Sequence, residues 1–567
     1  MIKLDLHQVV FSRKETNFAI NFWDRDVKPG LWLRRIYQGI EALYRLEVID
    51  SGGPVPFEVD CDPARLRLVA ERGSVEVCIA GSDTIRVRGN GVGLRLERDP
   101  NGYGGLVEAP DGCWRSILGG TKLMFIRRSG RLEVEAPWYP QPMWGTIHHR
   151  ASRAIIDVRP DDSGAFELMI EQYSSEFDPR EYTTSFEEDV AASAADYAKW
   201  LDAAPEAPEE LQAARDLAVY VNWSNVVPAA GCFPWPTMLM SKIGMTNCWN
   251  WDNYFNAWAG TYYDPEFAWT QYMLHIYHQH PQGAFGDGIN EGSVGFAYTK
   301  PPVHGWILKR MLEADRGIGI EHLKEAYEPL CRWTNWWLTY RDDDDDGVYQ
   351  YNHGNDSGWD NATIFDLEMP VESPDLNALL VKQMDCLAEF AQMLGKAEEA
   401  KEWKQKADAL LERLVEHFWE GGRFVAKRSG THEQPASGDC LLPHLAIVAG
   451  SRLPAVQRNA TIGALKEEGR FLTAHGLATE SVASDLHLDA GYWRGPIWAP
   501  EMMFAIDGIK DAGDAEFARD LAWRFCRMCA KSGFAENFEA TEGASRCDPA
   551  YTWTSSIFLI LLENYIG

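Results

Sequence analysis

The sequence contains no cluster of lysine and arginine, and basic residues are few overall. Its 567 residues include 84 Asp and Glu but only 54 Lys and Arg, which leaves a formal net charge of −30. Binding to nucleic acid or to an anionic membrane surface depends on clustered basic side chains. We therefore predict that neither is a partner of this protein.

Long hydrophobic runs are also lacking. The longest late run, residues 557–562, is far short of the ~20 apolar residues that span a bilayer. The N-terminus has neither a basic region nor a small-residue cleavage site, so no signal peptide is predicted. The 11 cysteines are odd in number and widely scattered, which gives no disulfide framework. Together these absences predict a soluble protein of the reducing cytoplasm.

The first third of the chain alternates apolar and polar residues, as β-strands do. Two such segments, 84–88 and 92–98, flank Gly89-Asn-Gly91, which predicts a hairpin between them. Alternation with frequent turn residues continues to about residue 185. We therefore predict a β-sandwich domain over residues 1–185.

The residue pattern changes after about residue 185. Residues 186–209 combine a helical stretch with a Pro-rich end and are interpreted as a linker helix and hinge. From there to the C-terminus the apolar period is 3.6, with about twelve helical stretches. Twelve helices suit two concentric rings of six, and no repeat at a fixed period supports a solenoid. Residues 210–567 are predicted to form a mainly α catalytic domain, an (α/α)6 toroid.

Tryptophan is abundant, with 23 residues, about twice the usual share. Many of these tryptophans stand beside Asp, Asn, Arg or Gly near predicted loops. Aromatic faces suit the C–H faces of sugar rings, while nearby polar groups bind the hydroxyls. This composition favours a carbohydrate site, although bulky core packing is the alternative.

Three polar and aromatic clusters interrupt the helices, at residues 246–255, 353–362 and 533–543. In the first, Asp252 begins a helix and is either a cap or a site residue. The second cluster is too polar for a hydrophobic core and too aromatic for an ordinary exposed loop, so we interpret it as a site. The third offers Glu536, with Glu539 and Glu542 as competitors. Two carboxylates on one rim are what glycoside hydrolysis requires, one as acid and one as base or nucleophile.

Five segments in order carry a resemblance to a known family. They are Trp251-Asp252, Lys300-Pro-Pro-Val-His-Gly-Trp306, Ser357-Gly-Trp-Asp-Asn361, Gly491-Tyr-Trp-Arg-Gly-Pro-Ile-Trp498 and Glu536-Asn-Phe538. They resemble the signatures of glycoside hydrolase family 63, which is related to the family 37 trehalases. The resemblance covers about residues 240–560. It implies an (α/α)6 catalytic domain after a β-rich domain, and cleavage of α-glycosidic bonds with inversion.

Site residues follow from this resemblance by position. Asp360 matches the general acid and Glu536 the general base. The residues implied to bind substrate are Trp251, Asp252, Trp359, Trp493, Arg494 and His304. Burial in an aromatic turn is expected to raise the pKa of Asp360, while Glu536 must be ionised to activate water. Asp356 is expected to hydrogen-bond its own loop rather than to act in catalysis.

The chain departs from the family pattern at two positions. Lys300 stands where Gln is frequent, and Ala540 stands where Pro is frequent. These departures leave the aglycone preference open. Lys300 is either a cation at the pocket edge that meets an acidic group such as glycerate, or a solvated surface lysine, and we favour the second.

A run of five aspartates resembles a calcium loop. Asp342, Asp344, Asp346 and Gly347 occupy the first, third, fifth and sixth positions of the EF-hand pattern. The twelfth position, which needs a bidentate Glu, is His353. A solvated acidic turn is therefore favoured over a calcium site, and we predict no catalytic metal and no cofactor.

The function predicted is an inverting, exo-acting α-glycosidase, an α-glucosidase whose partner is a small α-glucoside or short oligosaccharide. Two alternatives stay open. A sugar isomerase or epimerase on the same toroid would move protons at carbon with histidines such as His304 and His353. A non-catalytic carbohydrate-binding protein would need neither Asp360 nor Glu536. The oligomeric state is not predicted.

Overall fold

The fold is taken from a computed structural model, which describes residues 2–99, 103–118, 120–366, 368–434 and 438–566. The chain forms two compact units. The first comprises Met1–Asp202, Trp223–Pro228 and Lys242–Thr246, and the second Ala203–Asn222, Ala229–Ser241 and Asn247–Gly567. The domain boundaries at 185 and 209 stay predictions.

The first unit is rich in strands, as the alternating pattern predicts. Its strands are β1 (Phe18–Trp23), β2 (Gly30–Ile36), β3 (Ile40–Asp50), β4 (Gly53–Pro54), β5 (Glu58–Cys61), β6 (Leu66–Ala70), β7 (Gly73–Ile79), β8 (Thr84–Asn90), β9 (Gly93–Arg98), β10 (Gly105–Glu108), β11 (Trp114–Leu118), β12 (Thr121–Ser129), β13 (Arg131–Glu135), β14 (Trp138–Met143), β15 (Thr146–Ala151), β16 (Ala154–Arg159) and β17 (Ala165–Tyr173).

These strands form two large antiparallel sheets and one separate hairpin. The first sheet has the order β1-β2-β3-β9-β16-β13, with β4 beside β3; the second has the order β10-β11-β12-β17-β8-β7-β6-β5, and β14 pairs with β15. The sheets contact each other through Tyr44, whose hydroxyl lies 2.6 Å from Ser116 Oγ and whose ring meets Phe125 edge-on. The inward-facing positions of both sheets supply the buried core of this unit.

The predicted hairpin at Gly89-Asn-Gly91 is wrong. β8 lies in the second sheet and β9 in the first, so the chain crosses between sheets at this turn instead of folding back beside itself. Gly91 has a φ of +74°, and its N–H donates to Gly164 O. A β-carbon at Gly91 would lie 2.2 Å from Arg72 O. The glycine therefore serves a crossing between the sheets, which local turn chemistry does not distinguish from a hairpin.

Helices dominate the second unit. In chain order the helices of the whole protein are α1 (Phe186–Ala203), α2 (Gln212–Ser224), α3 (Asn250–Gly260), α4 (Pro265–Tyr277), α5 (His304–Glu313), α6 (Ile320–Tyr340), α7 (Gly354–Ser357), α8 (Pro374–Met393), α9 (Ala397–Phe418), α10 (Ala455–Leu465), α11 (Ala499–Asp511), α12 (Ala515–Ser532) and α13 (Thr552–Leu561). Each of the twelve predicted helical stretches is present, and the one expected near 440–449 is a 3₁₀ segment at Leu442–Arg452.

Six of these segments contact one another in a closed order. Helix α3 packs against α5, α5 against α8, and α8 against the 3₁₀ segment Leu442–Arg452. That segment packs against α11, α11 against α13, and α13 against α3. The contacting faces are almost wholly buried, which explains why α3, α11 and α13 are apolar or small around most of their circumference.

Short strands connect the helices. They are β18 (Val226–Val227), β19 (Thr237–Met238), β20 (Cys248–Trp249), β21 (Gly288–Ile289), β22 (Val294–Gly295), β23 (Gln350–Tyr351), β24 (Val371–Glu372), β25 (Trp419–Glu420), β26 (Arg423–Phe424), β27 (Lys427–Arg428), β28 (Ile497–Trp498), β29 (Asn537–Phe538) and β30 (Ser545–Arg546). Three small sheets, β20-β21-β22, β23-β24-β27 and β28-β29-β30, fix the loops that follow. No helix in the described part of the chain is long and apolar enough to cross a membrane.

The packing of α11 against Leu442–Arg452 predicts a sharp effect at Gly508. A β-carbon there would lie 2.3 Å from Ile447 O, so the two backbones meet with no room for a side chain. We expect Gly508→Ala to destabilise the protein by about 1–3 kcal/mol, because overpacking forces the backbones apart. Thermal and urea unfolding measure the loss.

Gly463 on α10 is the matched control, because no heavy atom lies within 4 Å of its β-carbon position. Gly463→Ala should leave stability unchanged or raise it by up to about 1 kcal/mol, since alanine favours the helix. Equal unfolding midpoints for the two variants would contradict the described packing.

Candidate active site

The segment that carries Asp360 is shaped by a glycine. Helix α7 ends at Gly358, which adopts a left-handed conformation with φ +77°. A β-carbon at Gly358 would lie 2.3 Å from the indole ring of Trp251. Glycine is therefore required here both for the backbone conformation and for the close approach. The turn places Trp359 inward and Asp360 in a half-buried position.

Asn361 fastens this segment to a second one. Its side-chain amide donates to Gly491 O at 3.0 Å, and its Oδ1 accepts the Trp493 N–H at 3.0 Å. Arg494 Nε donates to the Asn361 carbonyl at 2.7 Å, and its guanidinium forms a bidentate ion pair with Asp366. Arg494 was predicted to bind substrate; in the structure its donors are used to hold the Asp360 segment in place.

Tryptophans stack beneath these two segments. Trp493 lies 3.8 Å from Trp498 and 4.9 Å from Trp359 between ring centroids, both in stacked geometry. Trp251 contacts Trp493 at 6.1 Å. The three predicted binding tryptophans, Trp251, Trp359 and Trp493, are at most 2% exposed. Trp493 is therefore stacked against two other rings and supports the loops, and its role in substrate binding stays a prediction.

Glu536 lies in the loop just before β29. Its Oε1 accepts a hydrogen bond from the Tyr492 hydroxyl at 3.1 Å, and its Oε2 accepts the Asp548 N–H at 3.3 Å. Its own N–H donates to Asp548 O at 2.7 Å, which fixes the backbone. Tyr492 has a φ of +64°, a strained conformation that a non-glycine residue keeps only when its surroundings require it. The strain aims the phenol at the carboxylate.

The two predicted catalytic carboxyl groups are electrostatically coupled. Burial and the nearby Asp548 charge raise the pKa of Glu536 to about 7, with a further contribution from Asp360. Burial also raises the pKa of Asp360, although the Lys300 charge opposes this rise. Burial raises the pKa of Tyr492, and the charges of Glu536 and Asp360 raise it further. The structure thus brings Asp360 and Glu536 from distant parts of the sequence into one cluster.

Asp252 joins this cluster from the first turn of α3. Its Oδ1 accepts a hydrogen bond from the Tyr551 hydroxyl at 3.0 Å, while its buried Oδ2 has no partner among the described residues. Burial raises the pKa of Asp252 to about 8, against the attraction of Lys300. The carboxyl is therefore mostly protonated at neutral pH and can act as a donor. The residue at the helix cap is Trp249, so Asp252 is the third residue of α3 and not its cap.

Lys300 is buried, so the prediction of a solvated surface lysine is wrong. Its ammonium lies 2.7 Å from Asp287 Oδ1 and donates to Asn355 O at 2.6 Å. Its side chain is 7% exposed. The same charge stabilises the ionised forms of Asp252 and Asp360. Lys300 is thus an electrostatic centre of the cluster, a role that its position before two prolines did not reveal.

His304 is fully buried beneath the cluster. Its Nε2–H donates to Asn250 Oδ1 at 2.7 Å, and its Nδ1 accepts the Trp333 indole N–H at 3.1 Å. Burial lowers the pKa of His304, which keeps the ring neutral. With both nitrogens engaged, His304 positions Asn250 and has no nitrogen left for a sugar. The isomerase alternative loses its better placed histidine for the same reason.

Two neighbouring carboxylates serve the loops. The expectation for Asp356 is confirmed: its oxygens accept the N–H groups of Thr299 at 3.0 Å and Asn352 at 3.1 Å. Glu539, the competitor of Glu536, accepts the Thr541 N–H at 2.8 Å. Burial opposes ionisation of Glu539, but its hydrogen bonds at this turn lower its pKa overall. Both side chains are therefore committed to backbone groups.

Sequence reasoning missed four members of the site, namely Tyr492, Tyr551, Asp548 and Asp287. Tyr492 lies in one of the family segments, but nothing in a local pattern says which carboxylate a phenol will contact. Asp287 and Asp548 stood in no motif. A groove of about 810 Å³ elsewhere in the helical unit is lined by none of the coupled carboxylates, so it does not compete as the catalytic site.

Comparison with known proteins gives one family. Residues 245–554 match the model of the mannosylglycerate hydrolase MGH1-like glycoside hydrolase domain. A mannosylglycerate hydrolase of Rubrobacter radiotolerans is 27% identical over 198 residues, which are 33% of this chain and 43% of that relative. The chain thus spans less than half the length of that relative.

Solved structures show the same fold. A GH63 mannosylglycerate hydrolase from Thermus thermophilus in complex with glucose has a TM-score of 0.54 at 19% identity, covering 62% of this chain and 99% of that one. A bacterial glucoamylase complexed with acarbose has a TM-score of 0.61 at 11% identity, covering 99% of this chain and 94% of that one. The second likeness includes the β-rich unit.

The raised pKa of Asp252 predicts a pH-dependent gain in stability for Asp252→Asn. A carboxyl whose pKa is higher in the folded state binds its proton more tightly there, so its contribution to stability is lost as pH rises from about 4 to about 8. The neutral amide has no such loss. We expect the stability of Asp252→Asn relative to the parent to rise by on the order of 2–5 kcal/mol between pH 5 and pH 8.5. Urea unfolding at both values measures it, and a constant difference would contradict a protonated Asp252.

Proposed function

The chain belongs to the MGH1-like glycoside hydrolase family, and from this premise we propose that it is an inverting, exo-acting α-glycosidase. The observation that carries the proposal is the coupled pair of buried carboxyl groups, Asp360 and Glu536. Hydrolysis with inversion needs one carboxyl that is protonated and one that is ionised, on opposite sides of the scissile bond.

Asp360 is the proposed general acid. Its half-buried position raises its pKa and so keeps a proton available for the leaving oxygen. The Asn361 clamp and the stacked tryptophans hold the segment in one conformation, which a proton donor needs because transfer depends on hydrogen-bond geometry. Lys300 limits how far the pKa rises, so the proton can still be released.

Glu536 is the proposed general base. A base works best when its pKa lies near the working pH, and the pKa of about 7 meets this condition. The hydrogen bonds from Tyr492 and from the Asp548 N–H favour the ionised form. Glu536 then accepts a proton from the attacking water.

The glycone is proposed to bind beside Asp252. A protonated Asp252 offers both a donor and an acceptor, which suits a sugar hydroxyl. Lys300 lies close enough to influence both Asp252 and Asp360, so it would face the same sugar unit. Trp251, which packs against Trp493 and Trp553, is proposed to line the same site.

We also infer that the helical unit is a closed (α/α)6 toroid. The cyclic order of contacts through α3, α5, α8, Leu442–Arg452, α11 and α13 supports an inner ring of six. Asp252 lies in the first turn of α3, Asp360 lies between α5 and α8, and Glu536 lies between α11 and α13. A ring brings such distant loops to one pocket.

The substrate is proposed to be a small α-glycoside. The sequence favoured an α-glucoside, while relatives are named mannosylglycerate hydrolases, so both glycones belong in the first screen. Incubation with trehalose, kojibiose, nigerose, maltose, glucosylglycerate and mannosylglycerate, followed by chromatographic measurement of the released sugar, tests the proposal. Release from one α-glycoside supports it. Conversion of a free monosaccharide without hydrolysis would point to the isomerase instead.

Substitution of either catalytic carboxyl should abolish most activity. We expect Asp360→Asn and Glu536→Gln each to lower hydrolysis by ~10²- to 10⁴-fold, because each removes a proton-transfer step. Glu539→Gln is the matched control on the same loop and should keep most activity, since Glu539 only closes its turn. Circular dichroism verifies folding. A collapse of activity in Glu539→Gln alone would move the base to that residue.

The pH profile should report the Glu536 pKa. The ascending limb of kcat/KM is expected near pH 7, where Glu536 ionises. Tyr492→Phe removes a hydrogen bond that favours the Glu536 carboxylate. The substitution should therefore raise the pKa of Glu536 and move this limb to higher pH by roughly one unit. Tyr340→Phe, an exposed tyrosine on α6, is the control and should leave the profile in place. A downward shift in Tyr492→Phe would contradict the assignment.

A further inference from the structure

A second cluster of ionisable side chains lies outside the catalytic residues. Asp346, Glu372, His417 and His432 each bring one potential ligand atom within 4.8 Å of the others. They come from four separate places: the turn after α6, strand β24, the last turn of α9 and the turn after β27. Nothing in the proposed hydrolysis uses them.

The spacing of the atoms suits a small tetrahedral ion. Asp346 Oδ2 lies 3.5 Å from His417 Nδ1 and 3.4 Å from His432 Nε2. Bonds of ~2.0–2.1 Å to a tetrahedral Zn²⁺ place neighbouring ligand atoms about 3.3 Å apart. Asp344 borders this cluster: its Oδ2 lies 3.0 Å from His432 Nε2 and accepts the Gly430 N–H at 2.8 Å.

Glu372 is placed to bind the imidazole of His417 and not the ion itself. Its Oε2 lies 2.7 Å from His417 Nε2, so the imidazole can donate to Glu372 and turn Nδ1 towards Asp346. A carboxylate that orients a metal-binding histidine in this way is a frequent feature of zinc sites. His417 then has one nitrogen for the ion and one for Glu372.

Unpartnered buried oxygens are the independent sign of a missing ligand. Glu372 is 1% exposed, and its Oε1 has no hydrogen-bond partner among the described residues. The Oδ1 atom of Asp344 is likewise buried and has no hydrogen-bond partner among them. A buried carboxylate oxygen without a partner is costly, and a bound cation compensates for it. In the acidic turn, Asp343 and Asp345 are exposed as predicted, whereas the side chains of Asp344 and Asp346 are 21% exposed.

The ligand types select the ion. Calcium takes six to eight oxygens, and two imidazoles are poor ligands for it. Imidazole together with carboxylate suits Zn²⁺ and related divalent transition metals. The twelfth position of the calcium pattern is also unsuited, because His353 Nδ1 accepts the Asn355 N–H and caps α7.

We propose that His417, His432 and Asp346 bind a divalent transition-metal ion of the Zn²⁺ type, with Glu372 orienting His417. The ion is structural. It joins the turn after α6 to β24, which pairs with β23 and β27. Strand β23 leads through two residues into α7 and the Asp360 segment, so the ion braces the base of the segment that carries the proposed acid.

The test starts from the full chain dialysed against a chelator. ZnCl₂, CaCl₂ and MgCl₂ are titrated separately by calorimetry, bound metal is counted by elemental analysis, and thermal unfolding is recorded. We expect one Zn²⁺ per chain, tighter binding than for Ca²⁺, and a Tm rise of roughly 5 °C at saturating Zn²⁺. These measurements are independent of activity.

Two variants and a control locate the ion. His432→Ala, at a 40% exposed side chain, should fold and weaken Zn²⁺ binding by more than ~10²-fold, and Glu372→Gln should weaken it by ~10- to 100-fold. His149→Ala removes an exposed histidine from β15 and should change nothing. Zinc binding that is weak and unaffected by His432→Ala, or stoichiometric Ca²⁺ binding that Zn²⁺ does not displace, would overturn the proposal.

Discussion

One buried ammonium group organises the site. Lys300 forms an ion pair with Asp287 and lowers the cost of ionising Asp252, Asp356 and Asp360, each of which burial drives towards the neutral form. A buried cation of this kind is tolerated only when its own charge is matched and its hydrogens are bonded. Asp287 and the Asn355 carbonyl do this. Burial thus raises the pKa of each of these carboxyl groups, and the Lys300 charge limits the rise at all three.

The rest of the architecture keeps this charge balance in place. The acid segment is fixed from below by stacked tryptophans and from the side by Asn361, and its turn exists because Gly358 fits against Trp251. Rigid packing of this kind costs the chain freedom but restricts the carboxyl to one geometry. In the same way the strained Tyr492 is held where its hydroxyl meets Glu536. Aromatic residues here pack against one another and against the carboxylate loops.

Much of the fold and part of the candidate site could be predicted from the sequence. The β-rich beginning, the twelve helical stretches and the family were within reach because periodicity and ordered motifs are local signals. The crossing at Gly89-Asn-Gly91 was not, since the same turn residues serve hairpins and sheet-to-sheet connections. Burial of Lys300 was missed because its partner Asp287 lies in no motif. The proximity of His417 and His432 could not be predicted, because their cluster is formed by four segments that are distant in the sequence.

In the proposed mechanism Asp360 and Glu536 act as acid and base, with a water molecule between Glu536 and the sugar. Proton NMR of the first turnover of an accepted α-glycoside tests this most directly, since the two anomers of the released sugar interconvert slowly enough to be distinguished. The account predicts that the β-anomer is released first, because a base-activated water attacks from the opposite face. First release of the α-anomer would contradict it, since retention requires a carboxylate nucleophile and a covalent intermediate.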